Sequence, residues 1–92
     1  MRGSLKIATP EELGAAMRAT RVALDIPLAD LAGTLGTSST LLRRQEQGKA
    51  TAALKVLFAT LHELGMELIL ELPPGVSSVT SDPAPRKKRA RP

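Results

Sequence analysis

Leu54, Leu57, Phe58, Leu61 and Leu64 recur at spacings of three and four between Thr51 and Gly65, the cleanest two-faced helical pattern in the chain. Three shorter helices are predicted ahead of it, each with its own punctuation. Thr9-Pro10-Glu11-Glu12 offers a threonine N-cap, a proline at the first helical position and a glutamate to close a capping box, with Leu13, Met17 and Leu24 on an inward stripe. Pro27 can open a second helix whose Leu28, Leu31, Ala32 and Leu35 face inward, and Gly36 ends it because glycine tolerates the positive φ of a sharp stop. Ser38 or Thr37 caps a third helix with Leu42 inward, and Gly48 terminates it.

After Gly65 the period falls from 3.6 to 2. Met66, Leu68, Leu70 and Leu72 alternate with Glu67, Ile69 and Glu71 until Pro73-Pro74 stops the run, which predicts one strand over 66–72. A lone strand leaves its N–H and C=O groups unpaired, and the only other candidate in the chain is the very short Leu5-Lys6-Ile7. The most economical partner is the same strand of a second copy. A two-fold axis through that antiparallel pair predicts a homodimer joined by Met66, Leu68, Ile69, Leu70 and Leu72. The fold class expected is therefore mainly α: a helix-turn-helix domain of four to five helices, with one C-terminal strand in an intersubunit antiparallel sheet. Residues 1–8 form an arm, 9–74 the domain, and 75–92 a Pro- and Ser-rich basic tail expected to be disordered.

Composition changes the picture in two ways. The 92 residues carry 13 lysines and arginines against nine acids, but Arg86, Lys87, Lys88, Arg89 and Arg91 all lie in the tail, leaving residues 1–85 at −1. A case for nucleic acid must therefore rest on where charges sit within the body, or on the tail, whose five charges can attract phosphates or dock into a partner's groove. There is no cysteine and one histidine, His62, which excludes disulfides, thiolate metal sites, cysteine nucleophiles and multi-histidine zinc clusters. His62 lies off the apolar stripe and is expected to be solvated. With no glycine-rich phosphate loop and only scattered carboxylates, no nucleophile is paired with a base, so neither catalysis nor a cofactor or metal is expected. No apolar run approaches the roughly 20 residues that span a bilayer, and the first ten residues lack the apolar core of a signal peptide. A cytoplasmic, nucleoid-associated protein without a membrane partner is expected.

A helix of roughly two turns following another after a glycine-containing break is the sequence signature of a helix-turn-helix. In that arrangement the N-terminal part of the second helix meets DNA with short polar side chains for base edges and basic ones for phosphates. Ser39, Thr40, Arg43 and Arg44 fit those roles, with Ser38 and Lys49 as phosphate contacts. Either arginine can pair bidentately with guanine, and spacing alone leaves open which one reads and which one anchors. Leu41, beside the inward Leu42, is placed to touch thymine methyl groups or a neighbouring helix. Two adjacent arginines on a short helix are, by themselves, more often a solvated face than a reading head; the co-occurrence of Leu31, Ala32, Leu35, Gly36 and Leu42 favours the motif.

The run "LADLAGTLGTSSTLLRRQEQGKA", continued by "TAALKVLFATLHELGM", resembles the XRE, or phage-repressor-like, helix-turn-helix family over residues 11–66. With "MELILEL" added, the closer resemblance is to HipB-type antitoxins, whose C-terminal strand joins two subunits. That resemblance implies autorepression of a toxin operon, binding to double-stranded operator DNA, and a HipA-type kinase toxin as partner. Carried over by position, the DNA contacts would be Ser38, Ser39, Thr40, Arg43 and Arg44. The chain departs from the family in having Leu28 where a phosphate-gripping glutamine is usual, Ser39 where a reading glutamine is usual, and Gln45 at an apolar core position. The alternatives are a free-standing XRE-type regulator and a toxin-neutralising interaction protein with weak DNA binding.

Overall fold

A computed structural model describes residues 3–76, in the order β1 (Ser4–Ile7), α1 (Pro10–Ala23), α2 (Leu28–Leu35), α3 (Ser39–Glu46), α4 (Ala52–Glu63) and β2 (Leu68–Glu71). The expected basic tail lies outside the described residues, apart from Gly75 and Val76. Val76 is buried, and its N–H donates to the Pro73 carbonyl at 3.0 Å, so the packed body runs to that residue.

The helix starts follow local chemistry. Thr9 Oγ1 accepts from the Glu12 N–H at 3.0 Å, Ser38 Oγ from that of Leu41 at 3.0 Å, and Thr51 Oγ1 from that of Leu54 at 3.2 Å. Each hydroxyl satisfies a donor that the first helical turn leaves without an intrahelical partner. The box at α1 closes one residue early, because Glu12 Oε1 accepts from the Ala8 N–H (2.6 Å). Pro27 is the N-cap of α2, in extended backbone with no side-chain cap bond, so that helix begins at Leu28.

The helix ends share one geometry. After α2, α3 and α4 a glycine takes a positive φ (Gly36 at 71°, Gly48 at 78°, Gly65 at 72°), and the next N–H returns to the carbonyl five residues back, as in Thr37 to Ala32. After α1 the same bond runs from Ile26 to Arg21 at 3.1 Å, but the left-handed residue is Asp25, at φ 61°.

β2 is shorter than the alternation predicts, and its partner corrects the expectation of a strand paired only across a dimer. β1 of the same chain pairs with it antiparallel, with Ser4 opposite Glu71, Leu5 opposite Leu70, Lys6 opposite Ile69 and Ile7 opposite Leu68. The short Leu5-Lys6-Ile7 segment suffices because its apolar members share a face with Leu68 and Leu70. Ile7, Ala16 and Phe58 form the buried centre, and Leu5, Leu13, Leu54, Leu68 and Leu70 pack around it. Ladder bonds and apolar burial thus act on the same four residues.

α1 lies against α3, α4 and β1, and α2 against α3. The expected stripes are only partly buried. On α1 the buried residues are Gly14 and Ala16, while Met17 (39% exposed) and Leu24 (43%) line a surface groove. On α4 Phe58 is buried and Leu54 and Leu61 are half-buried, but Leu57 (52%) and Leu64 (66%) face outward. Leu35, at the end of α2, is likewise exposed. Small residues on α1 explain the geometry: a Cβ on Gly14 would collide with the Gln45 carbonyl oxygen and come within 2.8 Å of that of Glu46. The two backbones approach where a side chain has no room. Between the HTH-candidate pair, the end of α1 and β2 lies an open apolar groove of about 380 Å³, lined by residues including Met17, Leu24, Ile26, Leu31, Leu35 and Leu70.

Candidate nucleic-acid interface

α3 carries the residues singled out from the sequence. It follows α2 after Gly36, Thr37 and Ser38, and the helical period divides its faces. Leu42 and Glu46, four apart, turn inward, with Leu42 buried and Glu46 nearly so. Thr40, Arg43, Arg44 and Gln47, at spacings of three and four, are all exposed on or just beyond the opposite side. Ser39 is half-buried. Ser38 is exposed, and although its oxygen caps the helix, its hydroxyl proton remains available to donate to a phosphate oxygen.

The structure brings Ser38, Ser39, Thr40, Arg43 and Arg44 together on one short helix and its cap. Lys49 stands apart. It lies beyond the far end of α3 and lines a separate hollow with Pro10, Leu13 and Leu54. Leu41 is 47% exposed, which leaves an apolar side chain on the same helix open to contact. Gln45 is exposed, so its polarity costs the core nothing, and Leu28 is half-buried at the first position of α2.

What holds α3 in place is a pair that sequence reading missed. Arg21 Nε donates to Glu46 Oε2 at 2.6 Å and Arg21 Nη2 to Glu46 Oε1 at 3.0 Å, a two-point fork from α1 to α3. A third bond runs from Arg21 Nη1 to the Ile26 carbonyl at 2.8 Å, so one guanidinium ties α1, α3 and the α1–α2 connection together. The side chains are only 12% and 9% exposed. The Glu46 hydrogen bonds raise the Arg21 pKa above its ordinary value, against the opposing effect of burial and with the help of the carboxylate's charge. A signal for this pair exists in the sequence: Arg21 falls in phase with Met17 and Leu24, and Glu46 in phase with Leu42, placing opposite charges on two inward stripes.

Arg18 was also missed. It sits one turn before Arg21 and lines a mostly polar hollow of about 320 Å³ together with Arg21, Leu28, Arg43, Glu46 and Gln47. His62 is exposed, and among the described residues no three His, Asp or Glu side chains converge as a metal site. No helix of the described residues is long and apolar enough to cross a membrane.

The placement of Met66, Leu68, Ile69, Leu70 and Leu72 divides the expected dimer surface. Leu72 is buried and Leu68 and Leu70 are half-buried against the chain's own core, whereas Met66 (54%) and Ile69 (51%) are exposed. No protein-family model matches the chain, and no curated protein and no solved structure is significantly similar to it.

Proposed function

We propose that this chain is a sequence-specific DNA-binding repressor in which α2 and α3 form a helix-turn-helix and α3 enters the major groove. One observation carries the reading. A short helix clamped from behind by a nearly buried ion pair turns Thr40, Arg43, Arg44 and Gln47 outward, a combination of short polar groups for base edges and guanidinium forks for guanine or phosphate. Clamping matters because base readout needs side chains held in fixed register before contact. A second copy joins the assembly at β2, which uses one edge for β1, with Met66 and Ile69 as exposed apolar contacts. Two copies then place their reading helices about one helical turn of DNA apart, roughly 34 Å. Mobility shifts on the DNA upstream of the chain's own gene test the reading. A complex that survives competition by excess unrelated sequence and weakens in Arg43→Ala and Arg44→Ala is expected; no specific complex, or one indifferent to both changes, would overturn it.

The groove favours a second reading, an antitoxin that also captures a kinase toxin of the HipA type. Its lining is apolar, and exposed Leu24 and Leu35 flank it, the surface a protein partner buries more readily than DNA does. Co-expression with the product of the adjacent gene checks it: the expected result is a stoichiometric complex that Leu24→Glu and Leu35→Glu disrupt while DNA binding persists.

A further inference from the structure

We infer that the polar hollow between α1 and α3 is a DNA phosphate site, in which Arg18 and Arg43 grip one phosphodiester while Arg44 is left to read a base. On α1, Arg18 precedes Arg21 by one turn; on α3, Arg43 precedes Glu46 by one turn. The inner pair is the clamp already described, and both Glu46 oxygens are engaged by Arg21. Neither Glu46 oxygen accepts from the outer pair, so the carboxylate charge is directed to Arg21. Arg18 and Arg43 are exposed and, among the described residues, make no ion pair or side-chain hydrogen bond. Two uncompensated guanidinium groups on one hollow call for an anion with several acceptor oxygens, and Gln47 adds an amide donor at the same rim.

The identity of the anion follows from Arg43. It belongs both to this hollow and to the outward row of α3, so an anion held here lies beside the groove that α3 enters, where the duplex backbone runs. Arg44 does not line the hollow. The two arginines, equivalent by sequence spacing, thus divide into an anchor and a reader, and α1 becomes part of the interface. The Leu28 side chain, on the same lining, offers no hydrogen-bond donor, and the side-chain grip comes instead from Arg18 on α1.

Resting on the DNA reading above, the assignment is tested by measuring affinity against salt concentration for the full chain and for Arg18→Gln, Arg43→Gln, Arg44→Gln and the control Lys55→Gln, an equal charge loss on α4 outside the hollow. Arg18→Gln and Arg43→Gln are expected to weaken binding to all sequences alike and to lower the slope of log affinity against log salt by about one each. Arg44→Gln is expected to lose the preference at one base pair. Thermal melts of Arg18→Gln should match the parent, since the side chain is exposed and unbonded. If the parent binds specifically while Arg18→Gln behaves like Lys55→Gln, or Arg43→Gln is the variant that loses base preference, the assignment is overturned and the repressor reading stands. If the parent shows no sequence preference, the repressor reading falls, and the slopes measured on nonspecific duplex still decide the phosphate contact. Inorganic phosphate titrated against the arginine Nε–H resonances separates the sources. Saturation at micromolar phosphate without DNA would overturn the assignment in favour of a small free anion.

Discussion

Arg21 and Glu46, twenty-five positions apart, form a two-point hydrogen-bonded fork, 2.6 and 3.0 Å, through which α1 fixes the rear of α3. With both side chains nearly buried, removing either partner leaves a charge without water or counterion. Arg21→Met and Glu46→Leu are each expected to cost about 3–5 kcal/mol, and the double variant less than either single one, since apolar side chains can fill the space that the pair leaves. Urea unfolding of the three variants measures this, and additive losses would contradict it.

The same pair sets a pH dependence. A group whose pKa is raised on folding contributes stability that is fully present below its unfolded value and is lost as pH rises through the folded one. An arginine stays protonated through the ordinary range and folding raises the Arg21 pKa further, so melting between pH 7 and 10 should be blind to this contact. In Arg21→Lys the corresponding loss should begin above roughly 10.4, the ordinary lysine value. A melting-temperature gap between parent and variant that widens only at that alkaline end is the expected outcome.

Two helix-interior glycines should respond oppositely to alanine. Gly14→Ala drives a methyl into the Gln45 and Glu46 carbonyls and is expected to destabilise by about 1–3 kcal/mol. A methyl added to Gly33 on α2 would meet nothing within 4 Å, so Gly33→Ala should gain up to about 1 kcal/mol from helix propensity. Denaturant midpoints distinguish the two, and equal shifts would contradict the close approach of α1 and α3.

Asp25 occupies the left-handed position that glycine fills after the other three helices. Asp25→Gly is expected to stabilise by about 0.5–1 kcal/mol, and Asp25→Val to destabilise by a similar amount or more, because a β-branched residue pays the full steric cost of positive φ. Calorimetric melts check both signs.

For the proposed dimer, Ile69→Lys and Met66→Lys should convert the chain to monomer with helical circular dichroism unchanged, since both side chains are exposed in the single copy. Sedimentation equilibrium reads the outcome. A parent chain already monomeric at micromolar concentration would remove the dimer.

The helices were legible in the sequence wherever a boundary is a local event. Thr9, Ser38 and Thr51 cap through their own hydroxyls, and Gly36, Gly48 and Gly65 close through their own φ. Burial was less legible, because periodicity ranks residues by hydrophobicity while packing selects them by fit. Met17, Leu57 and Leu64 match an inward stripe yet stay exposed, and Gly14 and Ala16, silent in any hydropathy pattern, are buried where α1 meets its neighbours. Pairings between distant segments were least legible. Neither the β1–β2 ladder nor the Arg21–Glu46 fork follows from its own neighbourhood, although charges in phase with apolar stripes were a usable sign of the second. At the candidate interface the sequence supplied the α3 residues but not Arg18, which joins them only through the packing of α1 on α3.

The β1–β2 ladder has a consequence for how the chain comes off the ribosome. Ser4 and Glu71 pair across all four helices, so the sheet cannot form until everything between them has been synthesised. The helices, built on nearby contacts, can assemble around a still-open gap, and the late arrival of β2 then seals Ile7 and Phe58 from water. Truncated translation products ending before Leu68 would expose that apolar centre and present themselves to quality-control proteases, so that only finished chains accumulate.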